Sequence, residues 1–380
     1  MSIVKVAGSW DAKFEPLVAA FKSNFDAQSA TPEQGAGFAL FHQGKLVVDI
    51  YAGTYSQSEA KKVWQENTIV NVFSTTKGVA ALCVAHLVER GLLEYSDKVA
   101  KHWPEFAANG KQDITIAQVL SHQSGLNAFE EPIAMEGLLD WDDCCQKLAA
   151  QAPFFPPGSR TCYQAVTFGF LVGEIVRRAA GVTLGEYLNT EICQPRNIDF
   201  QIGLPENQHE RAADLLPPTR APYMPKNMPA HALTGMTNPL LRADFMLTPQ
   251  AREAELPAIN GHGTAKAIAN LYELYRPENG LLSADTLAQT TEVNSSRTDD
   301  LLGLPVHWGM GLVVNALGNT YGKEPSTFGH SGWGGSFGCH DPVNKLSFGY
   351  ICSQMSPDLV GDARSQSLIE QAYACIGEIA

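Results

Sequence analysis

Residues 74–91 read Ser74-Thr75-Thr76-Lys77-Gly78-Val79-Ala80-Ala81-Leu82-Cys83-Val84-Ala85-His86-Leu87-Val88-Glu89-Arg90-Gly91. The run is apolar on almost every side of a helix, which predicts a helix buried inside the protein and closed by Gly91 in a left-handed conformation. Ser74 and Lys77 are three positions apart and therefore share one helix face. The helix N-terminus favours negative charge at Ser74, and a desolvated Lys77 amine can act as a base. The pair predicts a serine nucleophile that needs no histidine.

The spacing Ser-x-x-Lys alone is weak. A second copy, Ser58-Glu59-Ala60-Lys61, lies in a polar stretch with no apolar helix after it, which favours a solvated loop. The alternative for Ser74 is an ordinary N-cap serine followed by a surface lysine. Agreement with other parts of the chain has to decide between the two.

Composition sets broad limits. The chain has 380 residues and 44% hydrophobic content, enough for a large core and two closely packed lobes. Its 27 basic and 40 acidic residues give a net charge of −13 without a basic cluster. This balance argues against nucleic-acid partners and against an anionic membrane surface.

Compartment and metal content are indicated by what the sequence lacks. The segment from Met1 to Gly8 has no apolar stretch typical of a signal peptide, and no apolar run reaches 18 residues. The eight cysteines show no paired spacing, as expected of reduced thiols in a cytoplasmic protein. The ten histidines form no H-E-x-x-H motif or close cluster, so we expect neither a metal site nor an organic cofactor.

Periodicity and turn residues predict the elements around this helix. A first helix over 10–27 has an apolar stripe of Phe14, Leu17, Val18, Phe21 and Phe25. The other expected elements are a hairpin of strands 38–41 and 46–51, helices 114–121 and 166–180, strands 308–314, 336–341 and 346–352, and a last helix over 359–378. Short links within the hairpins require antiparallel pairing.

Strands at both ends of the chain enclose a helical middle. We therefore expect an α/β (α+β) fold in which one antiparallel sheet, built from both termini, is flanked by helices on both faces. The predicted sheet lobe comprises 1–94 and 295–380, and the inserted, mostly helical lobe comprises 95–294. Within that lobe, 205–257 is rich in Pro, Met and Asn with weak periodicity, which predicts an irregular segment covering a cleft.

Tyr163 is the second candidate for the site. It follows the rigid Pro156-Pro157-Gly158 loop and precedes a predicted helix. A tyrosine in this place is often an ordinary packing residue. Beside a Ser/Lys pair it becomes a candidate base, since a nearby ammonium favours the phenolate.

The third candidate region is the glycine-rich stretch 328–338. Glycines beside a strand let the backbone approach a ligand closely, and an edge N–H there could complete an oxyanion hole with the Ser74 N–H. The alternatives are a plain hairpin turn and, for His330, a structural histidine. The sequence Gly334-Gly335-Ser336-Phe337-Gly338 also matches the G-x-S-x-G nucleophile elbow. The elbow needs a following helix and a downstream acid and histidine, so Ser336 is rejected as nucleophile.

Taken together, these motifs resemble the serine β-lactamase and penicillin-binding-protein superfamily, in its class C-like branch and nearest to the family VIII carboxylesterases. The likeness runs from the hairpin near 40 to the last helix. It rests on Ser74 to Lys77, Pro157-Gly158 leading to Tyr163, and three stretches that read Leu120-Ser121-His122-Gln123-Ser124-Gly125-Leu126, Gly261-His262-Gly263-Thr264-Ala265-Lys266, and Gly329-His330-Ser331-Gly332 running on to Asp341-Pro342.

The resemblance implies Ser74 as nucleophile, with Lys77 and Tyr163 sharing the acid and base work. It implies an oxyanion hole made by the Ser74 N–H and an N–H of the 330s strand. Substrate-binding candidates there are His330, Ser331, Gly332, Trp333 and Ser336, with the second N–H left open between Trp333 and Ser336.

Two departures from the family pattern bear on the substrate. The Y-x-N motif reads Tyr163-Gln164-Ala165, and the K-T-G motif reads His330-Ser331-Gly332. In β-lactamases that lysine helps to bind the substrate carboxylate, and a neutral histidine would do so less well. We therefore expect a serine carboxylesterase for small, short-acyl esters. The alternatives are a β-lactamase, a D-amino-acid peptidase, an acyltransferase, or a homologue that only binds a ligand.

Overall fold

A large antiparallel sheet forms the framework of the protein. The computed structural model describes residues 4–56, 62–220, 225, 227–315, 320–359 and 362–377. The second Ser-x-x-Lys copy, at 58–61, lies outside these ranges. The described strands are β1 Ala7–Trp10, β2 Gly35–His42, β3 Lys45–Tyr55, β4 Lys62–Val63, β5 Val70–Asn71, β6 Phe200–Ile202, β7 Gly261–Gly263, β8 Ser295–Thr298, β9 Pro305–Trp308, β10 Val313–Val314, β11 Phe328–Ser331, β12 Phe337–Asp341 and β13 Leu346–Cys352.

Helices and short helical turns fill the space around this sheet. The described α-helices are α1 Glu15–Ser23, α2 Thr75–Glu89, α3 Val99–His102, α4 Ile116–Leu120, α5 Trp141–Ala150, α6 Thr167–Ala180, α7 Leu184–Tyr187, α8 Ala230–Thr237, α9 Pro249–Glu253, α10 Ala265–Glu273, α11 Ala284–Thr291 and α12 Ala363–Cys375. Within the described ranges, no helix has both the length and the apolar character needed to cross a bilayer.

The main sheet joins the two ends of the chain. Its strands run in the order β1-β3-β2-β13-β12-β11-β10-β9-β8, with β4 added at β3, and each described pair is antiparallel. A second, three-stranded sheet has the order β5-β7-β6. This architecture confirms the predicted fold class of an antiparallel sheet from both termini with flanking helices. The lobe boundaries at 94 and 295 stay a prediction.

The two faces of the main sheet pack differently. Large side chains of one face, such as Phe38, Phe348 and Tyr350, form a buried cluster with α1 and α12. The opposite face carries small residues where α10 lies directly on the sheet. A Cβ added at Gly349 would overlap the Ala265 carbonyl oxygen, so the strand backbone touches the helix. This close contact fixes the position of α10 behind β12 and β13.

Helix α2 lies buried between this sheet and α6. Nearly all of its residues are inaccessible, including Lys77 at 0% exposure. Gly91 has the predicted left-handed conformation, with φ of 68°, and the Leu92 N–H donates to the Leu87 oxygen at 3.0 Å. Ser74 stands at the N-cap of α2. The stretch 74–91 therefore places a serine at the start of a helix that is buried in the middle of the molecule.

Several predicted elements are confirmed, and others need correction. The β2–β3 and β12–β13 hairpins form as predicted. The first helix is shorter than 10–27, because β1 occupies the start of that range, and Phe25 lies beyond the helix end while its ring still packs on Phe21 at 5.5 Å. The expected strand 308–314 is wrong, since a tight turn separates β9 from β10.

The irregular segment is also more structured than the prediction. In the described part of residues 205–257, the helices α8 and α9 and two 3-10 helices, Glu206–Arg211 and Phe245–Leu247, lie among irregular stretches. The segment approaches the cleft through Gly235, Met236, Leu240 and Leu241, which line its pocket. The small β5-β7-β6 sheet was not anticipated, and it pairs a strand of the predicted sheet lobe, β5, with two strands of the predicted helical lobe.

The contact of α10 with the sheet yields a stability prediction. We expect Gly349→Ala to lower the free energy of unfolding by about 2–3 kcal/mol, because neither the strand nor the helix backbone can yield. Urea unfolding monitored by circular dichroism measures this. Gly37→Ala is the matched control, since a Cβ there meets Ile351 Cγ1 at an ordinary 3.4 Å. Its expected change is under about 1 kcal/mol. Equal losses in both variants would contradict the proposed contact.

Candidate active site

Ser74 and Lys77 meet as the helix spacing predicts. Lys77 Nζ lies 3.1 Å from Ser74 Oγ. It also donates to the carbonyl oxygens of Ala165, at 2.8 Å, and Ala258, at 3.1 Å. A neutral amine has two N–H donors and one lone pair. The two carbonyls use both donors, which leaves the lone pair for the Ser74 hydroxyl proton.

The surroundings of Lys77 favour that neutral form. Burial holds its pKa well below the ordinary 10.5. None of the hydrogen-bond partners of Nζ is a carboxylate. The amine also lies 4.8 Å from the centroid of the Tyr163 ring. The environment of Lys77 is that of a base.

Tyr163 is brought to the same place from the loop before α6. Its side chain is 9% exposed, and its hydroxyl forms a hydrogen bond with Ser74. Burial raises the pKa of the phenol above its ordinary value of 10, and this outweighs the hydrogen bond to Ser74. The structure thus differs from the sequence-based expectation of a phenolate. A buried neutral tyrosine beside a nucleophile is a proton donor.

Strand β11 lies on the other side of the nucleophile. His330 is 4% exposed and lines the pocket, and Ser331 lines it as well. His330 Nδ1 donates to the Ser331 carbonyl oxygen at 2.8 Å, which leaves a neutral ring with its lone pair on Nε2. Burial lowers the His330 pKa to about 3. His330 therefore brings no positive charge to this position at neutral pH.

The amides after β11 differ in their availability. The Gly332 N–H donates to the Ser336 carbonyl oxygen at 2.7 Å. Trp333 follows in a turn that is closed by the Gly335 N–H, which donates to the Gly332 carbonyl oxygen at 3.0 Å, so its own N–H is not part of the β11–β12 ladder. It finds no acceptor within the described part of the chain. Trp333 lines the pocket with Ser74, and its ring lies 5.1 Å from that of Phe73.

Ser336 lies behind the nucleophile rather than in the pocket. Its side chain is 4% exposed, and its Oγ donates to the Val72 carbonyl oxygen at 2.9 Å. It follows β11 and enters β12, so the strand-to-helix turn of a nucleophile elbow is not formed. His340 Nδ1 is bonded to Ser347 Oγ at 2.8 Å and is not directed to Ser336.

A deep apolar pocket opens at Ser74 and Tyr163. Its volume is about 650 Å³. Its walls include Leu301, Leu302 and Val306, together with Gly235 and Met236, which pack beside Leu301. None of the described residues that line it is a lysine, arginine, aspartate or glutamate. Such a pocket suits an uncharged, apolar ligand.

Sequence reasoning missed two groups that hold the site together. One is the Ala258 carbonyl, whose bond to Lys77 has no sequence signal. The other is Asp299, whose Oδ1 accepts from the N–H groups of Tyr163, Leu301 and Leu302 at 3.0–3.1 Å. Asp299 is fully buried, and its burial raises the pKa of the carboxyl to about 6. The sequence signal available for Asp299 was only its place directly after a short run of polar residues.

Metal-ligating side chains are not gathered at the site. Within the described ranges, no group of three or more His, Cys, Asp or Glu side chains is arranged to hold a metal ion. All eight cysteines are free thiols, and seven of them are buried.

The structure places Ser74, Lys77 and Tyr163 together on a β-lactamase/transpeptidase-like scaffold. The chain belongs to the β-lactamase family, whose model, described as Beta-lactamase, matches residues 14–372. It is 29% identical to the esterase/beta-lactamase LipL of Mycobacterium tuberculosis (strain ATCC 25618 / H37Rv), over 97% of this chain and 89% of that protein.

Solved structures show the same likeness. A crystal structure of a family VIII carboxylesterase has a TM-score of 0.91 and 38% identity, covering 98% of this chain and 100% of that one. A penicillin-binding protein homologue from Caulobacter crescentus has a TM-score of 0.90 and 37% identity, with coverage of 98% and 100%. These neighbours agree with the resemblance stated from the sequence motifs.

The state of Lys77 predicts the pH dependence of activity. We expect kcat/KM for a neutral ester to rise with pH as Lys77 loses its proton, and to reach its plateau well below 10.5. His330, with a pKa of about 3, titrates too low to produce a change in activity near neutral pH. Lys77→Arg cannot be neutralised and should lower kcat/KM by about 10²–10⁴-fold. A wild-type kcat/KM that rises only near pH 10.5 would contradict a lowered Lys77 pKa.

Proposed function

We propose that the protein is a serine carboxylesterase that hydrolyses small, uncharged, short-acyl esters through an acyl-enzyme on Ser74. The observation that carries this proposal is the buried Lys77 amine. Its two donors are held by the Ala165 and Ala258 carbonyls while its lone pair faces the Ser74 hydroxyl at 3.1 Å. The family membership and the esterase names of its relatives support the same class.

Acylation begins with proton transfer from Ser74 Oγ to Lys77 Nζ. The Oγ forms a bond to the ester carbonyl carbon, and the carbonyl electrons move to its oxygen. The oxyanion lies at the start of α2, where the backbone N–H of Ser74 and the dipole favour negative charge. The Trp333 N–H is our choice for the second donor, because the Gly332 N–H is used and Ser336 lies outside the pocket.

Collapse of the tetrahedral intermediate requires an acid. The Tyr163 phenol is neutral because burial raises its pKa, and its hydroxyl bonds to Ser74. It gives its proton to the departing alkoxide as the carbon–oxygen bond breaks. Lys77, now an ammonium, returns a proton to Tyr163. Water then attacks the acyl-enzyme with Lys77 and Tyr163 as base, and Ser74 leaves with the proton.

The pocket argues for uncharged substrates. β-Lactams and peptides with a free C-terminus present a carboxylate, which needs a cation or several donors. The described lining offers no cation, and His330 is neutral. This weighs against the β-lactamase and D-amino-acid peptidase alternatives. A homologue that only binds a ligand is disfavoured because Ser74, Lys77 and Tyr163 are in contact.

Covalent labelling tests the nucleophile. A fluorophosphonate probe should add one mass increment to the wild type and to Ser336→Ala, and none to Ser74→Ala. We expect Ser336→Ala to cost only about 1 kcal/mol of stability, from its lost bond to the Val72 oxygen. Intact-mass spectrometry and p-nitrophenyl butyrate turnover are the measurements. If Ser336→Ala lost label and turnover while staying folded, the proposed nucleophile would be wrong.

Charge selection tests the substrate class. We expect kcat/KM for p-nitrophenyl butyrate to exceed that for the mono-p-nitrophenyl ester of succinic acid by about 100-fold, or about 3 kcal/mol, because the carboxylate would lose its hydration unpaired. His307 lines the pocket from β9.

His307→Lys places a cation in the pocket and should reduce the ratio of the two kcat/KM values, for the butyrate over the succinate ester, to about 10. His307→Gln is the neutral control and should leave this ratio of kcat/KM values unchanged. A wild type that treats both esters alike would overturn the neutral-substrate proposal, while labelling of Ser74 would still stand.

A further inference from the structure

His122 is a fully buried histidine that the proposed reaction does not use. It follows α4 and has a positive φ of 59°, a conformation uncommon outside glycine, although Asn, Asp and His adopt it more readily than other residues. An uncommon backbone conformation persists only where the surrounding contacts hold it, and it often marks a functional position. Its contacts lead to the Tyr163 loop.

The residues on both sides of Tyr163 are bonded to His122. The Cys162 N–H donates to the His122 carbonyl oxygen at 3.0 Å, and the Gln164 N–H donates to His122 Nδ1 at 3.2 Å. The Tyr163 N–H itself donates to Asp299 Oδ1 at 3.1 Å. Three consecutive amides are thus held by two buried side chains and one carbonyl.

The ring of His122 also packs on the phenol. Its centroid lies 4.9 Å from that of Tyr163 and 4.2 Å from that of Trp308, which stacks on Tyr163 in turn. Acceptance of the Gln164 N–H requires a neutral ring protonated on Nε2. Burial keeps the His122 pKa well below its ordinary value. The acceptor is therefore available throughout the working range.

We infer that His122 is a positioning residue, which holds the Tyr163 phenol at Ser74 by accepting the backbone N–H groups on either side of it. The inference rests on the proposed role of Tyr163 as the acid that protonates the leaving alcohol. His122 itself does not contact the ester. Loss of these hydrogen bonds moves Tyr163 relative to Ser74. Ser74 and Lys77 stay together at the start of α2, and Lys77 keeps its bond to the Ala258 carbonyl, while the Ala165 carbonyl belongs to the same loop as Tyr163.

Two variants separate the acceptor from the backbone conformation. His122→Asn and His122→Gly both tolerate a positive φ. Asparagine keeps an acceptor oxygen close to the place of Nδ1, whereas glycine has none. Both variants lose the ring contacts with Tyr163 and Trp308, and glycine leaves the larger cavity. The hydrogen bond to Gln164 is therefore reported by the selective loss of one substrate and not by the overall loss of activity.

The readout is the dependence on the leaving group. Ethyl butyrate and p-nitrophenyl butyrate form the same butyryl-enzyme, and kcat/KM reports the steps through acylation. Only the ethoxide needs a proton to leave. Tyr163→Phe is the reference for loss of the acid, and circular dichroism with thermal unfolding confirms that each variant is folded.

We expect His122→Gly to lower kcat/KM by about 100-fold for the ethyl ester and by about 10-fold or less for the p-nitrophenyl ester. His122→Asn should stay within about 3-fold of the wild type on both. Fluorophosphonate labelling of Ser74 should persist in both variants.

Three outcomes would overturn the inference. The first is an equal loss of both esters in His122→Gly while Tyr163→Phe shows the selective loss, which would mean a structural role alone. The second is His122→Asn behaving like His122→Gly, which would assign the effect to ring packing. The third is an equal loss of both esters in Tyr163→Phe, which removes the acid that His122 is inferred to place. In that case labelling of Ser74 would still separate the nucleophile from the failed acid assignment.

Discussion

Lys77 enters the site from inside a helix that is buried on nearly all sides, and no carboxylate compensates its charge. Desolvation of the ammonium therefore lowers the Lys77 pKa well below its ordinary value and favours the neutral amine. The rest of the site is arranged around this constraint. The carbonyl of Ala165 comes from the Tyr163 loop and that of Ala258 from the approach to β7, so two separate parts of the chain orient one lone pair at Ser74.

The acid and the pocket wall share an anchor. Asp299 Oδ1 accepts from Tyr163 and from Leu301 and Leu302, which face the bound substrate in the proposed reaction. A carboxylate that receives several N–H bonds inside a protein rigidifies the segments it joins. The pocket wall at Leu301–Leu302 and the Tyr163 backbone are thus held by one buried oxygen atom.

Local patterns were enough to predict α2, its cap and the hairpins that carry β2 and β12, because propensity, turn residues and burial agree there. The strand expected over 308–314 failed because an apolar run concealed the turn at Gly309–Gly311, where the Gly309 N–H bonds to the Leu312 oxygen. The β5-β7-β6 sheet has strands of only two or three residues whose pairing is set by distant contacts. Side chains such as Ser74, Lys77 and Tyr163 carry a sequence signal, whereas a carbonyl such as that of Ala258 carries none.

The two departures from the family motifs have a common physical consequence. Where the family has an asparagine, Ala165 contributes only its backbone oxygen, and that oxygen is used by Lys77. Where the family has a lysine, His330 turns Nδ1 to the Ser331 carbonyl and stays neutral. The first change removes a polar side chain from the region beside Ser74, and the second puts a neutral ring where the family has a cation, while the described pocket lining brings no charged residue in their place. A carboxylate entering there would lose water without gaining a partner, whereas an ester with two apolar ends would lose only unfavourable contact with water. The same two substitutions that weaken the likeness to penicillin-recognising enzymes therefore favour a neutral ester, with Ser74 and its base unchanged.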